Sequence, residues 1–439
     1  MINVALIGCG NWGKNYLRNL SELPGARLVA CCDKKESRLR QIRERYPFIR
    51  VTRDYNEIAS NPKIDAVVIA TPPGTHHQIA RACLLRGKHV LVEKPFTLSP
   101  GDAEDLVTLS RKTGKVLMVG HIMNYHPAVR QIKEYLRAGE LGQVYYIHSN
   151  RTSLGVVRND VSVLWDKAPH DVAILLYLLE DEPTHVAAVG QAFTNPTLED
   201  VIFLSLRFRD NVIANIHVSW INPRKESTTA IVGRKKMLVF NDVEAVEKLR
   251  IYNNGVGCRD AREGNNIFTL SGLFPVSAIR GLKGQPVPRE AVAAVPAGPL
   301  APGGSAPAGS DPVAGCGTAS PNGDGSHLNG DYENGNGSSD AALCNYGDVY
   351  IPKIKMVEPL RNQCLHFLEC IREGKKPLTD GESGLAVVRV LDRAEESLRS
   401  NGEYVPVYEG DYVFSAGRRG NFMAKARSLW RGLKLEKIF

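Results

Sequence analysis

The sequence has no long apolar segment. No run among its 439 residues approaches the ~18 apolar residues that a membrane-spanning helix requires. The first apolar run, Ile2–Ile7, is short, follows no basic residue and leads into glycines, which predicts a β-strand and not a signal peptide. With 43% hydrophobic and 23% charged residues, the composition is typical of a soluble globular protein.

Paired cysteines are also missing. The nine cysteines are odd in number and scattered, with no CxxC pair and no Cys/His cluster. This pattern excludes a disulfide framework and a structural zinc site. We therefore expect a reducing, cytoplasmic location and no bound metal.

The net charge of +8 is concentrated near the C-terminus, and the remaining sequence is closer to neutral. A nucleic-acid site would need a basic patch with aromatic or groove-reading residues, and no such pattern is present. The composition therefore excludes nucleic acid as a partner and leaves small anionic molecules as compatible ligands.

Four segments differ in composition and periodicity. Residues 1–122 alternate strands and helices, which predicts an α/β Rossmann domain with a parallel sheet. Residues 123–283 and 346–410 show longer alternating stretches, which indicate an α+β domain with a mostly antiparallel open sheet. Residues 284–345 are rich in Pro, Gly, Ala, Ser and Asn, and we interpret them as a disordered insertion. Residues 411–439 form a basic amphipathic tail, which could dock on the protein, remain solvated or contact an anionic membrane surface weakly.

A dinucleotide-binding motif follows the first strand. The residues from Gly8 to Gly13 fit G-x-G-x-x-G, and the motif opens a predicted helix. Asp33 ends the next strand, where a carboxylate binds the adenosine ribose and favours NAD over NADP. Lys34, Ser37 and Arg38 nearby could soften that preference. The predicted cofactor-binding residues are Gly8, Gly10, Asn11, Trp12, Gly13, Asp33, Thr71, Pro72, His76, Glu93 and Lys94.

Two further segments carry candidate acid/base groups. Lys94 follows the strand His89–Val92, at the edge where open α/β sheets bind ligands. Asp166 and His170 are four residues apart, which places them on one side of a helix. Pro169 suits a first helical turn, so Asp166 is predicted at or just before the helix cap. An N-capping aspartate followed by an ordinary helical histidine would give the same pattern.

These motifs agree in order and spacing with one known family. GCGNWG, ATPPGTHH, EKP, GHIMNYHP and DKAPHD, followed by EPLRNQCLHFLECIREGKKPLTDGESGL, resemble the Gfo/Idh/MocA oxidoreductases over about 1–260 and 358–400. The resemblance implies a Rossmann domain, a second domain with an open antiparallel sheet, and dimers or tetramers packed through those sheets. It also implies a catalytic lysine in EKP and a D-x-x-x-H pair.

Carried over, the resemblance makes Lys94 and His170 the acid/base candidates, and it leaves open which of them takes the proton. Asp166 would bind a substrate hydroxyl or orient the imidazole. SNRTSLG and LWDKAPHD resemble the branch that oxidises C3 of UDP-N-acetylglucosamine or its uronate ahead of transamination. The predicted substrate-binding residues are Tyr125, His126, Asn150, Arg151, Asp166 and His170.

Two other functions fit the same motifs. A dehydrogenase of the same fold that acts on a free sugar or inositol would use the same lysine, aspartate and histidine. A non-catalytic NAD-binding sensor would need the cofactor motif but no proton acceptor, and the retained Lys94 argues against it.

Overall fold

The computed structural model describes residues 1–155, 157–253 and 348–408, which form two β-sheets flanked by helices. The predicted insertion 284–345 and the predicted tail 411–439 lie outside these residues. Within the described ranges, no helix is long and apolar enough to cross a membrane.

The first sheet has six parallel strands in the order β3-β2-β1-β4-β5-β6. They are β1 (Ile2–Ile7), β2 (Ala26–Cys32), β3 (Arg50–Thr52), β4 (Ala66–Ile69), β5 (His89–Glu93) and β6 (Leu117–Gly120). Strands such as β4 and β6 are buried along their whole length, as expected for a parallel sheet covered on both faces. The strand order reverses between β1 and β4, and the crevice at that point is where open α/β sheets bind nucleotides.

Helices cover both faces of this sheet. They are α1 (Gly13–Glu22), α2 (Glu36–Arg45), α3 (Tyr55–Ser60), α4 (His76–Leu85) and α5 (Pro100–Thr113). Helix α5 shows why such a segment folds locally: the Ser99 hydroxyl accepts a hydrogen bond from the Asp102 N–H, and Gly114 ends the helix with a φ of 65°.

The second sheet has nine strands in the order β14-β13-β12-β11-β7-β10-β9-β8-β15. They are β7 (Val144–Leu154), β8 (His185–Gln191), β9 (Val201–Arg207), β10 (Ile213–Ser219), β11 (Ile221–Gly233), β12 (Met237–Asn241), β13 (Leu249–Tyr252), β14 (Val349–Tyr350) and β15 (Val405–Pro406). Among the described strands of this second sheet, only β7 and β10 pair in parallel, so the prediction of a Rossmann domain plus a mostly antiparallel sheet is confirmed.

Alternation along these strands separates a buried face from an exposed one. On β9, for example, Ile202 and Leu204 are fully buried while Phe203 between them is 50% exposed. The buried face packs against two helices, α7 (Val163–Leu179) and α9 (Gly381–Arg399). One hydrophobic core runs from that face through both helices to α4 and α5.

Two more helices complete the described fold, α6 (Pro127–Arg137) and α8 (Pro359–Glu373). Helix α8 packs against α1, with Phe367 buried in the same cluster as Leu6 and Tyr16. Arg18 of α1 also pairs with Glu358, the residue before α8. A helix that follows β14 of the second sheet in sequence therefore covers one face of the first sheet.

Helix α7 begins earlier than the sequence predicts. The prediction places Pro169 in the first turn, but the helix starts at Val163 and Asp166 lies in its first turn. The residues Val163 and Trp165 are buried, so packing extends the helix toward its N-terminus. Pro169 then lies inside the helix, where its missing N–H leaves one carbonyl without its helical partner.

Candidate active site

The glycine motif has the geometry that a dinucleotide requires. Gly8 has a φ of 94°, and a Cβ on Gly13 would lie 2.1 Å from the Gly8 carbonyl oxygen, so neither position tolerates a side chain. A Cβ on Gly10 would meet nothing nearer than the Arg38 guanidinium at 3.5 Å. The backbone at Gly10 is therefore open to a pyrophosphate at the N-terminus of α1. Asn11 and Trp12 are exposed beside it.

Asp33 lies at the end of β2, as predicted, and its carboxylate is buried. It accepts hydrogen bonds from the backbone N–H of Cys9 and of Lys35, both at 2.8 Å. The Arg38 guanidinium lies 3.1 Å from the same carboxylate. The carboxylate of Asp33, which the sequence predicts to bind the ribose, is thus paired with a positive charge that also lies against Gly10.

The predicted cofactor residues Thr71, Pro72 and His76 occupy the turn after β4. His76 is fully buried, with Nδ1 2.9 Å from the Pro95 carbonyl oxygen and Nε2 2.8 Å from that of Thr71. Burial lowers the pKa of His76 despite these two contacts. His76 therefore joins the turn after β4 to the loop after β5.

The Glu93 carboxylate is hydrogen-bonded to side chains of its own chain. Its buried carboxylate accepts hydrogen bonds from Trp12 Nε1 at 2.5 Å and from the Tyr16 hydroxyl at 2.6 Å. Burial raises the pKa of Glu93, while Tyr16 and the Lys94 charge oppose that shift. Glu93 therefore ties helix α1 to the end of β5 and so fixes the glycine motif relative to Lys94.

Lys94, which follows β5, and Asp166, on helix α7, contact each other in the fold. Lys94 follows β5, and its Nζ lies 2.5 Å from the Asp166 carbonyl oxygen and 3.3 Å from Asp166 Oδ1. Both side chains are about one-fifth exposed, so the pair is open at one side. The sequence-predicted lysine and aspartate are thereby brought together at the carboxyl edge of the first sheet.

Two groups that the sequence analysis missed also hold Asp166. Trp220, between β10 and β11, donates from Nε1 to Asp166 Oδ2 at 3.0 Å. Arg158 lies 3.5 Å from Asp166 Oδ1 and also pairs with Asp160. Burial raises the pKa of Asp166, but the Lys94 charge, the Trp220 hydrogen bond and Arg158 outweigh it, and the net shift is downward. Asp166 is therefore an ionised acceptor.

His170 lies one turn after Asp166 on the same helix. Its Nδ1 is buried and has no hydrogen-bond partner among the described residues. Burial lowers the pKa of His170 well below its usual value, and the charges of Lys94 and Arg151 lower it further. His170 is therefore a neutral imidazole near Lys94 at physiological pH.

A second buried imidazole, His121, was also missed by the sequence analysis. It follows Gly120, which pairs in register with Glu93, so His121 and Lys94 leave neighbouring strands at the same edge. Neither ring nitrogen has a partner in the described residues, and burial lowers the pKa of His121 to about 3, with a smaller contribution from Lys94. The motif GHIMNYHP was the available signal, because its first histidine comes just after the apolar run Val116–Val119.

Arg151 faces helix α7, but its charge is already paired. The guanidinium binds Asp171 at 2.7 and 3.1 Å, and Asp171 also accepts a hydrogen bond from Ser149 at 2.7 Å. Asn150 alternates to the opposite face of the sheet, where its Oδ1 lies 3.1 Å from His217 Nδ1. The structure thus places Arg151 near the site as an anchor of α7, and it keeps Asn150 away from Lys94.

Tyr125 and His126 also differ from the expected pocket lining. Tyr125 is fully buried, its hydroxyl lies 3.2 Å from Thr379 Oγ1, and burial raises the pKa of its phenol. His126 caps helix α6, because its Nδ1 accepts the Ala128 N–H at 3.1 Å. Both side chains are used inside the fold, since a buried polar group needs a local partner. Among the described residues, no cluster of three or more His, Cys, Asp or Glu side chains could hold a metal.

Comparison with protein families matches two models to this chain. The oxidoreductase model described as a Gfo/Idh/MocA NAD-binding Rossmann fold matches residues 2–121, and the Gfo/Idh/MocA C-terminal domain matches residues 129–239. Together they account for just over half of the chain. The N-terminal sheet with its glycine motif is accordingly an NAD-binding Rossmann fold.

Curated relatives include two kinds of dehydrogenase. The scyllo-inositol 2-dehydrogenase (NAD⁺) of Bacillus subtilis is 28% identical over 51% of this chain and 68% of its own. The UDP-N-acetylglucosamine 3-dehydrogenase of Acidithiobacillus ferrooxidans is 30% identical over 44% of this chain and 60% of its own. This chain therefore aligns with about two thirds or less of the length of these curated relatives.

Solved structures support the fold. The UDP-N-acetylglucosamine 3-dehydrogenase GnnA of Acidithiobacillus ferrooxidans matches with a TM-score of 0.64 at 19% identity, over 91% of this chain and 98% of its own. GenD2 from gentamicin A biosynthesis, in complex with NAD, matches with the same TM-score at 20% identity, over 92% of this chain and 96% of its own.

Proposed function

Since the chain belongs to the Gfo/Idh/MocA oxidoreductase family, we propose that it uses NAD to oxidise a secondary hydroxyl of a sugar or polyol to a ketone. The observation that carries this proposal is the contact of Lys94 with Asp166, with His170 one turn further along the helix. Removing a hydride from a carbinol carbon requires a proton acceptor at its hydroxyl. This edge of the NAD-binding sheet offers one.

The glycine motif and Asp33 are the residues that would hold the cofactor. The open backbone at Gly10 and the N-terminus of α1 suit the pyrophosphate, and the buried Asp33 carboxylate suits the adenosine ribose. Bound NAD supplies the acceptor for the hydride. The chain itself then has to orient the hydroxyl and take its proton.

We assign the proton to Lys94. His170 is a weak base, because burial and nearby positive charges hold its pKa well below the usual value. Lys94 is the other basic group at this edge of the sheet, and its amine lies 3.3 Å from Asp166 Oδ1. His170 then serves as a neutral hydrogen-bond partner of the substrate, and Asp166 receives the hydrogen bonds of the protonated lysine. The hydroxyl proton goes to Lys94 and the hydride leaves the carbon, which becomes the ketone.

For the substrate, we propose C3 of a UDP-linked N-acetylamino sugar or its uronate. The 30% identical 3-dehydrogenase supports this choice. A free inositol is the second candidate, because inositol dehydrogenases are about as similar to this chain. The same lysine, aspartate and histidine would serve either substrate.

The test is NADH formation at 340 nm with UDP-N-acetylglucosamine, its uronate, glucose and myo-inositol. A partner aminotransferase or a carbonyl trap removes the ketone, so that an unfavourable equilibrium does not hide turnover. Signal with a UDP-sugar alone, inhibited by UDP, supports the first substrate. Signal with a free polyol alone replaces it with the second. Confirmed NADH binding without turnover of any member would favour the sensor function instead.

A further inference from the structure

The corner between β10 and β11 holds the first turn of helix α7 through two consecutive residues. Trp220 donates to Asp166 Oδ2 at 3.0 Å, while Lys167 donates to the Ser219 carbonyl oxygen at 2.5 Å and to Ser153 Oγ at 2.8 Å. Adjacent residues of the helix therefore bind adjacent residues of the corner.

Trp220, at this corner, is held in place by burial and by backbone hydrogen bonds. Trp220 is 1% exposed. Its backbone N–H donates to the Asp200 carbonyl oxygen, and its backbone carbonyl accepts the Gly155 N–H, both at 2.9 Å. The indole nitrogen carries one N–H donor and cannot accept a hydrogen bond. Among the described residues, that N–H donates to the Asp166 carboxylate. The tryptophan can therefore hold the carboxylate in one orientation without competing for the Lys94 proton.

We propose that Trp220 is a positioning residue for the reaction, which holds Asp166 Oδ2 so that Oδ1 faces Lys94. The proposal rests on the proposed function, because it assigns Asp166 to the site that oxidises the substrate. Each oxygen of Asp166 has a separate set of partners: Oδ2 has the Trp220 indole, and Oδ1 has Lys94 and Arg158. Losing the indole donor frees the carboxylate to rotate away from the lysine.

Trp220→Phe removes the donor and keeps an aromatic ring. We expect kcat/KM to fall roughly 10-fold to 100-fold, as for one hydrogen bond to a charged group, while the Kd for NADH stays unchanged. Trp165→Phe is the matched control, since Trp165 is a buried tryptophan one residue before Asp166 on α7. Asp166→Asn combined with Trp220→Phe completes a double-mutant cycle, in which the tryptophan change should cost little once Asp166 is altered.

The pH profile separates positioning from packing. The charged groups that face Asp166 are Lys94 after β5, Arg158 and Asp160 before α7, and Lys167 on α7 itself. A hydrogen bond to the ionised carboxylate lowers its pKa, so Trp220→Phe should move the acid limb of kcat/KM to higher pH. Additive effects in the cycle, or an unmoved acid limb, would mean that Trp220 only fills the core.

A spectroscopic measurement tests the pairing without any substrate. Full-length protein labelled with 5-fluorotryptophan gives four ¹⁹F resonances, because the chain has four tryptophans. At pH 7, Asp166→Asn should shift the Trp220 signal more than the Trp165 signal. Equal shifts overturn the proposal, even if Trp220→Phe fails to fold. A clear Trp220 shift in a protein that turns over no panel substrate would instead place the failure in the proposed function.

Discussion

Asp33 pairs with Arg38 of its own chain, and this pairing bears on the choice between NAD and NADP. A bare carboxylate at this position repels a 2′-phosphate, whereas an arginine can accept one. Here the guanidinium lies 3.1 Å from the carboxylate and against Gly10. NAD is the cofactor that the family description names. The Arg38 guanidinium is the group at this site that can bind the 2′-phosphate of NADP.

We predict that Arg38→Gln weakens NADPH binding roughly 10-fold, with less than a threefold change for NADH. Fluorescence titrations at one ionic strength measure both dissociation constants. Arg40→Gln is the control, because Arg40 is exposed on the same helix. Equal losses for both cofactors would show that Arg38 binds a group that they share, such as the pyrophosphate.

The assignment of the proton to Lys94 has a separate chemical test. Lys94→Met should lower kcat about 10²-fold to 10⁴-fold without changing the Kd for NADH, and added methylamine should restore part of the rate. Lys112→Met, at an exposed position on α5, should leave kcat unchanged. If imidazole rescues His170→Ala while Lys94→Met stays active, the proton belongs to His170.

At the level of elements, the sequence predicts where the strands lie better than it predicts which side chains from different elements contact each other. The glycine motif, Asp33 and the loop after β5 lie where the alternating pattern places them, because each depends on a local strand-and-helix period. Asp166 and His170 are one helical turn apart on α7, although the helix begins at Val163. Trp220 has no local signal, since its partner is 54 residues away and only the paired strands bring it near.

Two candidate residues illustrate why substrate contacts were harder to predict. Asn150 and Arg151 are neighbours on β7, and a strand directs neighbours to opposite faces. The sequence alone does not say which face meets α7. The buried pair of Arg151 with Asp171 decides it, because that pair joins β7 to the helix that carries Asp166 and His170.

This pair supports a prediction about the stability of α7. Asp171→Ala should lower the free energy of unfolding by about 3–5 kcal/mol, because it leaves the Arg151 charge buried and unpaired. Replacing both residues, as in Arg151→Met with Asp171→Leu, should recover much of that loss. Urea unfolding followed by circular dichroism measures each value.

An exposed ion pair provides the comparison. Glu36→Gln, which breaks the pair of Glu36 with Arg43 on α2, should cost about 1 kcal/mol or less. A loss for Asp171→Ala no larger than this would mean that Arg151 reaches water or another partner when Asp171 is gone.

Across the whole molecule, buried neutral histidines make stability depend on pH. Burial lowers the pKa of His121 to about 3, and it lowers those of His89 and His126 to about 4. As pH falls below about 6.5, the unfolded chain binds these protons first, so the folded state loses stability from there toward about pH 4. Above that window all three histidines are neutral in both states, and the contribution is constant.

His121→Phe tests this directly, because it removes one such site and replaces a buried imidazole with an apolar ring. Between pH 6 and 4.5, the slope of the unfolding free energy should decrease by about 1.4 kcal/mol per pH unit. An unchanged slope for His121→Phe would indicate that His121 titrates alike in the folded and unfolded chains.

Helix α8 has a consequence for how the protein is made. The strands of the NAD-binding sheet are complete at Gly120, but the helix that packs beside α1 over Leu6 and Tyr16 begins only at Pro359. While the chain emerges from the ribosome, that apolar face therefore stays uncovered until α8, which follows β14, has been synthesised. Nucleotide binding should therefore mature late in synthesis, and a nascent chain stalled before Pro359 should be a preferred client of chaperones that bind exposed hydrophobic surface.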